Sequence, residues 1–405
     1  MANVIGRRAY NTRSGRIIQN VLPKIILIDS DITQAGYLAF INRLRSRRTM
    51  QEKITWDVDE FSPITDTLSA AVSSTTQTTI PVSNPSYYVP GELWQNSRTG
   101  EVLQILSVNL GTSNLTVVRA VTALNSSGGT AAANMSSGDT LNKIAPAVSE
   151  NSQRQVSRTT TPTEVYNYCQ IFRKDLSMSD RQIKREFEND NELSYWTTKK
   201  TKEFRMDLDR QFLFGERARF TDTAGDDVTI TGGIKPFITT NVLSVGGTLF
   251  KSVFDEFLVE KGLRYGSANK VMFASTNVIL AMTQMLDTIA SYDINVSGDK
   301  NVRIGVHVLH YMAPNGRDLL IVEDRNISEQ WNGEAYIVDM TQLEKRVFTN
   351  NGRSGEFQLI RGTEDPDDKG NVDTFYADCG LTYGFEKSHA KLTNVEGGSY
   401  SVPVT

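Results

Sequence analysis

Three histidines and two cysteines are the scarcest chemistry-bearing residues in this 405-residue chain. His307 and His310 stand three apart in a run, Val302 to Met312, that reads as a strand. Alternation places them on opposite faces, where they cannot converge on a metal. His389 has no Cys or His near it in sequence. The acidic stretch Glu364-Asp-Pro-Asp-Asp368, with Asp373 beyond it, offers the oxygen ligands calcium takes, but it lacks the EF-hand spacing and reads as a solvated loop. No P-loop, dinucleotide fingerprint, nucleophile elbow or zinc-ligand spacing is present. Cys169 and Cys379 are too few for a disulfide framework and are expected reduced and packed. The motifs therefore call for no cofactor or metal. Carboxylates distant in sequence can still meet in a fold, so a carbohydrate-active enzyme with a β binding module stays open as an alternative.

Charge is the next signal. Net charge is -4, yet the segment ending at Lys53 carries ten bases and three acids. Arg7, Arg8, Arg13 and Arg16 lie in its first part, where Gly6, Asn11, Gly15, Asn20 and Pro23 break any periodicity. This reads as an extended basic arm that contacts nucleic acid or an acidic face of a neighbouring copy. A DNA-binding protein using that arm is a second alternative. Hydrophobic residues make up 39% and charged residues 22% of the chain, which excludes wholesale disorder. No apolar run reaches the roughly 20 residues that span a bilayer, and no secretory signal is legible, so synthesis in the cytosol is expected.

The elements that must hold such an arm begin with residues 177 to 214, which contain neither proline nor glycine and read as one helix. At 1.5 Å per residue it would be roughly 57 Å long, suggesting a flat or elongated subunit. Ser177 with Asp180 and Ser179 with Gln182 fit N-terminal caps, and Gly215 supplies the stop. Asp180/Lys184, Lys184/Glu188, Lys199/Glu203 and Arg205/Asp209 are spaced to pair on one face. Ile183, Phe187, Tyr195 and Trp196 form one apolar end, and Phe204, Leu208 and Phe212 the other. The polar run Thr197 to Glu203 between them breaks any heptad seam.

Upstream, Asp29 to Arg48 reads as a short helix carrying Tyr37, Leu38, Ile41 and Leu44, and Ile54 to Phe61 as a strand holding Trp56. From Pro63 to Pro146 charge nearly vanishes and Ser, Thr and Val dominate. The β-rich runs Gln77 to Val82, Glu101 to Val108, Leu115 to Val121 and Thr140 to Ala145, separated by turn signals, predict a small all-β module closing on itself. Val165 to Lys174 reads as a returning strand. Beyond Gly215 come a loop (Phe220 to Asn241) and a second helix bearing Leu249, Val253 and Phe257 with Phe250, Phe254 and Leu258, which Gly262 stops. Lys270 to Ala274, a helix capped by Ser275 or Thr276 to about Ala290, Val302 to Met312 and Asp318 to Glu323 form an α/β region with a mixed sheet. Ala335 to Asp339, Lys345 to Phe348 and Asp373 to Phe385, interrupted by Gly380 and Gly384, read as closing strands.

This order of parts resembles the major capsid (major head) proteins of tailed bacteriophages, with the Hong Kong 97-type fold. Two phrases are similar to those of the branch that inserts a β module in its extended loop: Trp94-Gln-Asn-Ser-Arg-Thr-Gly-Glu-Val102, and Asp378-Cys-Gly-Leu-Thr-Tyr-Gly-Phe-Glu386 followed by His389-Ala-Lys-Leu392. The resemblance implies an α+β fold with an N-terminal arm at 1–50 lying along a neighbour. An extended loop at 51–174 would carry a small β-barrel-like insertion at about 64–146. A peripheral domain at 175–264, with its spine helix at 177–214, a glycine-rich loop and the second helix, would be completed by return strands at 331–405. An axial domain would occupy 265–330. It further implies a structural, non-enzymatic protein of the virion that assembles in the host cytoplasm through hexamers and pentamers. The product would be an icosahedral head around double-stranded DNA, with a separate scaffolding protein, a portal and decoration proteins as partners and no membrane. On this reading Arg7, Arg8, Arg13 and Arg16 face a neighbouring subunit or DNA, and Trp56 anchors the extended loop.

Overall fold

A computed structural model describes residues 36–44, 46–124, 128–147, 150, 159–179, 181, 192–287, 310–350, 353–362 and 370–399. Helix α1 (Gly36–Ile41) leads into β1 (Ser46–Thr49) and β2 (Lys53–Val58). Six strands follow: β3 (Thr65–Thr67), β4 (Thr79–Pro81), β5 (Glu92–Asn96), β6 (Val102–Asn109), β7 (Asn114–Val118) and β8 (Thr140–Pro146). The chain returns through β9 (Thr163–Tyr168), which pairs with β2, and β10 (Gln170–Ser179), and reaches helix α2 (Glu192–Phe214). Then come β11 (Ala218–Thr221), β12 (Asp227–Ile230), the turn α3 (Ile234–Phe237), β13 (Val242–Phe250) and α4 (Lys251–Phe257). The last stretch holds β14 (Lys270–Ala274), α5 (Thr276–Asp287), β15 (His310–Met312), β16 (Asp318–Glu323), α6 (Arg325–Gln330), β17 (Ala335–Val338), β18 (Glu344–Asn350), β19 (Arg353–Ser354), β20 (Gln358–Ile360), β21 (Gly370–Thr382) and β22 (Ala390–Ser399). Two compact units result, one of residues 1–56 with 165–405 and one of residues 57–164.

The larger unit is built on two sheets. One runs β1-β18-β21-β10, with β19 and β20 attached to β18 and β21; the other runs β13-β22-β17-β14-β16-β15. In the second sheet, β14 is buried at every position. Alternation sends Val271 and Phe273 into one core, with α1, α2 and the first sheet, and Met272 and Ala274 into another, with α4 and α5. Tyr336 and Val338 of β17 divide from Ala335 and Ile337 in the same way. A strand covered on both faces needs a continuous apolar run, which is what Val271 to Ala274 and Ala335 to Val338 supply. Ser275 follows β14 as the N-cap of α5, its hydroxyl accepting from the Val278 N–H at 3.4 Å.

The smaller unit is a six-stranded antiparallel sheet, β3-β8-β5-β6-β7-β4. Its two end strands are joined by a Leu68–Val82 bridge, with Ser83 N–H to Thr67 O at 3.0 Å and Ser69 N–H to Pro81 O at 3.3 Å. The sheet thereby closes into a small barrel around Trp94, Leu103, Leu115, Leu141 and Tyr88, leaving no free edge. Inside it lies a buried ion pair. Arg119 donates Nε and Nη2 to the two Glu101 oxygens at 2.6 and 2.8 Å, and donates further to the carbonyls of Ser74, Gln77 and Ala133. Glu101 also accepts from the amides of Ala120 and Ala133 at 3.1 Å each, which holds Ala120 at a φ of 48°. In the Trp94–Val102 phrase, Asn96 Oδ1 takes the amides of Arg98 and Thr99 at the hairpin turn. Arg98 grips Asp139 at 2.8 and 2.9 Å and holds that carboxyl well below the ordinary carboxylate range.

Several expectations change. Ser177 and Ser179 are not helix caps, because both lie in β10, which pairs residue for residue with β21 from Gln170–Cys379 to Ser179–Gly370. Buried Leu176 and Met178 alternate with exposed Ser177 and Ser179, and the long ladder overrides local helix propensity. The described helix has 23 residues, about 35 Å, so the 57 Å length is not carried by it. Asp180, Gln182, Ile183, Lys184, Phe187 and Glu188 lie outside the described residues. Glu203 pairs with Lys200 and Lys174 rather than Lys199, and Lys199 sits over the Trp196 ring. Arg45 lies outside the described residues, while Ser46 to Arg48 are strand rather than helix. Leu249 and Phe250 end β13; Leu249 reaches the same core as Phe254, so helical spacing also fits a strand running into a helix. The Phe220 loop contains a hairpin, closed by Asp222 Oδ1 accepting from Ala224 N–H at 2.7 Å. Gly380 does not interrupt β21: a Cβ there would lie 2.5 Å from Tyr168 O, so the strand requires glycine. Asp373 is buried in β21 and is no exposed calcium ligand; Glu364 to Asp368 and His307 are outside the described residues.

Arg119→Met leaves the Glu101 carboxylate buried without its cation. It should destabilise the barrel by about 3–5 kcal/mol in urea unfolding, and Glu101→Leu/Arg119→Met together should recover only part of that loss, because the double variant also strips partners from the Ala120 and Ala133 amides. A single variant as stable as the parent would show that the pair is not desolvated.

Candidate functional site at the roots of the arm and the excursion

Arg7, Arg8, Arg13 and Arg16 lie outside the described residues, and the described chain begins at α1. The free amides at the start of α1 need acceptors, and two carboxylates from remote elements supply them. Tyr37 N–H donates to Asp324 Oδ2 at 3.0 Å, and Leu38 N–H to Asp209 Oδ1 at 2.8 Å. Asn326 Nδ2 donates to the other Asp209 oxygen, while Asn326 N–H meets Asp324 Oδ1 at 2.9 Å. Asp209 comes from the buried face of α2 and is not a surface partner for Arg205. Burial, then the facing Asp324 charge, pushes its carboxyl well above the ordinary range; burial raises Asp324 as well, against its amide donors. Gly36 fits because a Cβ would meet Val322 Cγ1 at 3.0 Å. Phe273 receives the edges of Tyr37 and Phe40, with centroids 5.1 and 5.4 Å apart. Sequence spacing offers Asp209 only as a surface partner for Arg205 and does not mark Asp324, since nothing local distinguishes either from its charged neighbours.

The second root is where β2 leaves the larger unit. Trp56 is half-buried, and its indole N–H donates to Gly384 O at 2.9 Å. Its ring centre lies 6.4 Å from that of Phe237, which stacks on Tyr383 at 4.8 Å. Gly384 adopts a φ of 62°, and a Cβ would strike Gln342, so the turn presenting that carbonyl depends on glycine. Beneath, Asn167 donates to Gly232 O and Leu381 O at 3.2 and 2.7 Å. It accepts from the Gly232 and Tyr168 amides at 2.7 and 2.8 Å, using its full bonding capacity. Trp56 therefore joins a rigid floor, and it also walls an open cleft of about 450 Å³.

Below the Gly384 turn, His389 is fully buried. Asp339 N–H donates to Nδ1 at 3.2 Å, so Nε2 carries the proton and donates to Tyr383 O at 2.8 Å. An imidazolium would turn a second N–H against an amide. Burial lowers the histidine to about 4. Lys270 donates to Gly262 O at 2.9 Å and to Ser388 O at 2.5 Å, and burial brings it down to about 8. His310 pairs instead with Asp318 at 3.0 Å on the surface. Cys169 and Cys379 are free and buried, and burial raises both thiols. Glu386 and Glu216 line the cleft, but Glu386 Oε1 holds the Thr239 and Thr240 amides at 2.7 and 2.8 Å. Among the described residues no group of three His, Cys, Asp or Glu is placed to hold a metal ion. No described helix is long and apolar enough to cross a membrane. The geometry suits fastening segments of chain in place.

A family model described as SU10 major capsid protein matches residues 9–396. The chain belongs to that family. Among solved structures, the capsid asymmetric unit of cyanophage A-1(L) is similar over 96% of this chain and 100% of that one, with 10% identity and a TM-score of 0.52. The capsid of a native GTA particle aligns over 96% of this chain and 99% of that one, at 8% identity and a TM-score of 0.48. A SrpI encapsulin complex from Synechococcus elongatus aligns over 61% and 81%, at 9% identity and a TM-score of 0.41. Among curated proteins nothing matches. The fold is the Hong Kong 97-like fold of phage capsids, and the protein is a tailed-phage major capsid protein, a structural component of the virion that associates with copies of itself into a shell.

Two outcomes follow for this capsid protein. Trp56 stands outside the main cores, so Trp56→Ala should lower subunit stability by no more than about 2 kcal/mol in urea unfolding, within the range of ordinary substitutions, while shell yield falls severalfold. Equal loss of both would mark an ordinary core residue. His389, neutral and buried when folded, ionises near 6.5 when unfolded. The unfolded chain therefore takes up the proton first as pH falls from 6.5 toward 4, and this group removes up to about 3 kcal/mol of stability across that window. His389→Gln should flatten the slope there; an unchanged slope would mean that the imidazole is solvated.

Proposed function

We propose that this capsid protein assembles through hexamers and pentamers into an icosahedral head around double-stranded DNA, with no catalytic role. The observation that carries this reading is the family match spanning residues 9–396. In the same reading, residues 1–50 are an arm lying along a neighbour, with Arg7, Arg8, Arg13 and Arg16 facing that neighbour or DNA. Residues 51–174 are the extended loop anchored at Trp56, with the barrel at about 64–146. Residues 175–264 and 331–405 form the peripheral domain, and residues 265–330 the axial one. The partners are further copies of the chain, a scaffolding protein, a portal, decoration proteins and packaged DNA held without sequence readout, and assembly takes place in the host cytoplasm. The docking of α1 on Asp209 and Asp324 supports the arm assignment, because it fixes where an arm would leave the body. The excess of bases up to Lys53 supports binding to phosphates, whose neutralisation is independent of sequence.

Negative-stain imaging and sedimentation of the purified chain, alone and with the products of neighbouring genes, should show closed particles or capsomers; a monomer under every salt and partner condition would end this reading. Replacing Arg7, Arg8, Arg13 and Arg16 with Ala should reduce the dependence of log DNA affinity on log salt by roughly 3–4, at about 0.9 for each phosphate no longer neutralised. If assembly fails while DNA affinity is unchanged, the four arginines touch a neighbouring copy instead.

A further inference from the structure

Asp209 and Asp324 are both 0% exposed, and Asn326 bonds to each, its side chain to Asp209 Oδ2 and its amide to Asp324 Oδ1. Their remaining oxygens take consecutive amides of α1. Two carboxylates confined in this way repel each other, and one of them keeps a proton that an exposed aspartate would lose. The donors divide unequally between them. Asp324 accepts from the amides of Gly36, Tyr37, Asn326 and Ile327, which stabilise its ionised form. Asp209 has one amide, from Leu38, and the Asn326 carboxamide. The charge therefore belongs on Asp324 and the proton on Asp209. Asn326 suits a protonated neighbour. A half-turn of its carboxamide would bring Oδ1, which is buried without a partner, onto Asp209 Oδ2 to accept the acid proton, leaving one unpartnered position as before.

The groups around the pair leave this balance in place. Arg210 of α2 favours an ionised Asp209, but burial and the Asp324 charge outweigh it. The phenols of Tyr37, from α1, and Tyr383, after β21, are both held protonated by burial. β14 packs Phe273 on Tyr37, and β16 places Val322 against Gly36. We propose that the pair is a proton-dependent latch: one proton held between Asp209 and Asp324 keeps α1 docked, and rising pH releases it. The inference goes beyond the shell reading and does not depend on it. When α1 lifts away, both carboxylates reach water and ionise at about pH 4, as free aspartates do. The docked state therefore holds one more proton than the open one from about pH 4 up to the pair's second ionisation. Across that window docking weakens as pH rises, and the ratio of open to docked chain grows about tenfold per pH unit.

The test follows hydrogen–deuterium exchange of the Tyr37 and Leu38 amides in the isolated full chain, each rate divided by its intrinsic rate at that pH. The opening ratio should rise about tenfold per unit between about pH 5 and 7, while the amides of β14 show no such slope. Asp209→Asn, which copies the protonated acid in shape and bonding, should keep both amides protected and flatten the dependence. Infrared spectra of the parent should show a protonated carboxyl at neutral pH that Asp209→Asn lacks. A flat opening ratio in the parent, a variant that opens at every pH, or a parent without that carboxyl band would each overturn the latch. If the variant does not fold, the parent's exchange slope and its band decide the matter by themselves. Shell formation plays no part in these measurements, so their failure leaves the proposed assembly standing.

Discussion

Polar groups that leave water must find partners, and in this protein those partners come from far along the chain. Leu38 meets Asp209, Tyr37 meets Asp324, Trp56 meets Gly384, and Asn167 bridges Gly232 and Leu381. Each bond is modest in net stability, about 1 kcal/mol, but leaving its buried group unpaired costs more. Segments near the N-terminus are therefore fastened to elements 170 or more residues away. The positions of α1 and of the root of β2 are each set by such a closure.

The central mixed sheet makes those closures possible. Buried on both faces, it serves two cores at once, so α1 and α2 on one side and α4 and α5 on the other are indexed to the same strands. Asp324 follows β16 directly and caps α6; His389 precedes β22 and bonds the turn after β17. Shifting a strand by one residue would exchange the two cores and move these anchors to the wrong face.

The barrel solves a different problem. Few charges remain between Pro63 and Pro146, and three of them, Glu101, Arg119 and Asp139, are committed inside the module to ion pairs and backbone amides. Closing the sheet removes both edges, which in a particle packed with identical copies would otherwise invite unwanted strand pairing.

Much was legible in the sequence because it is local. Apolar runs that match strand spacing located β14, β16 and β17, and a low-charge, turn-rich stretch marked the barrel. What sequence could not supply is whatever depends on a partner hundreds of residues away. Residues 177 to 179 read as helix until the ten-residue ladder with β21 claims them. Gly380 reads as a break until Tyr168 lies against it. Asp209 reads as a surface charge until α1 brings amides to it. Periodicity and charge act over a few residues and are written in the chain; burial and pairing belong to the assembled fold, and only the tertiary structure decides them.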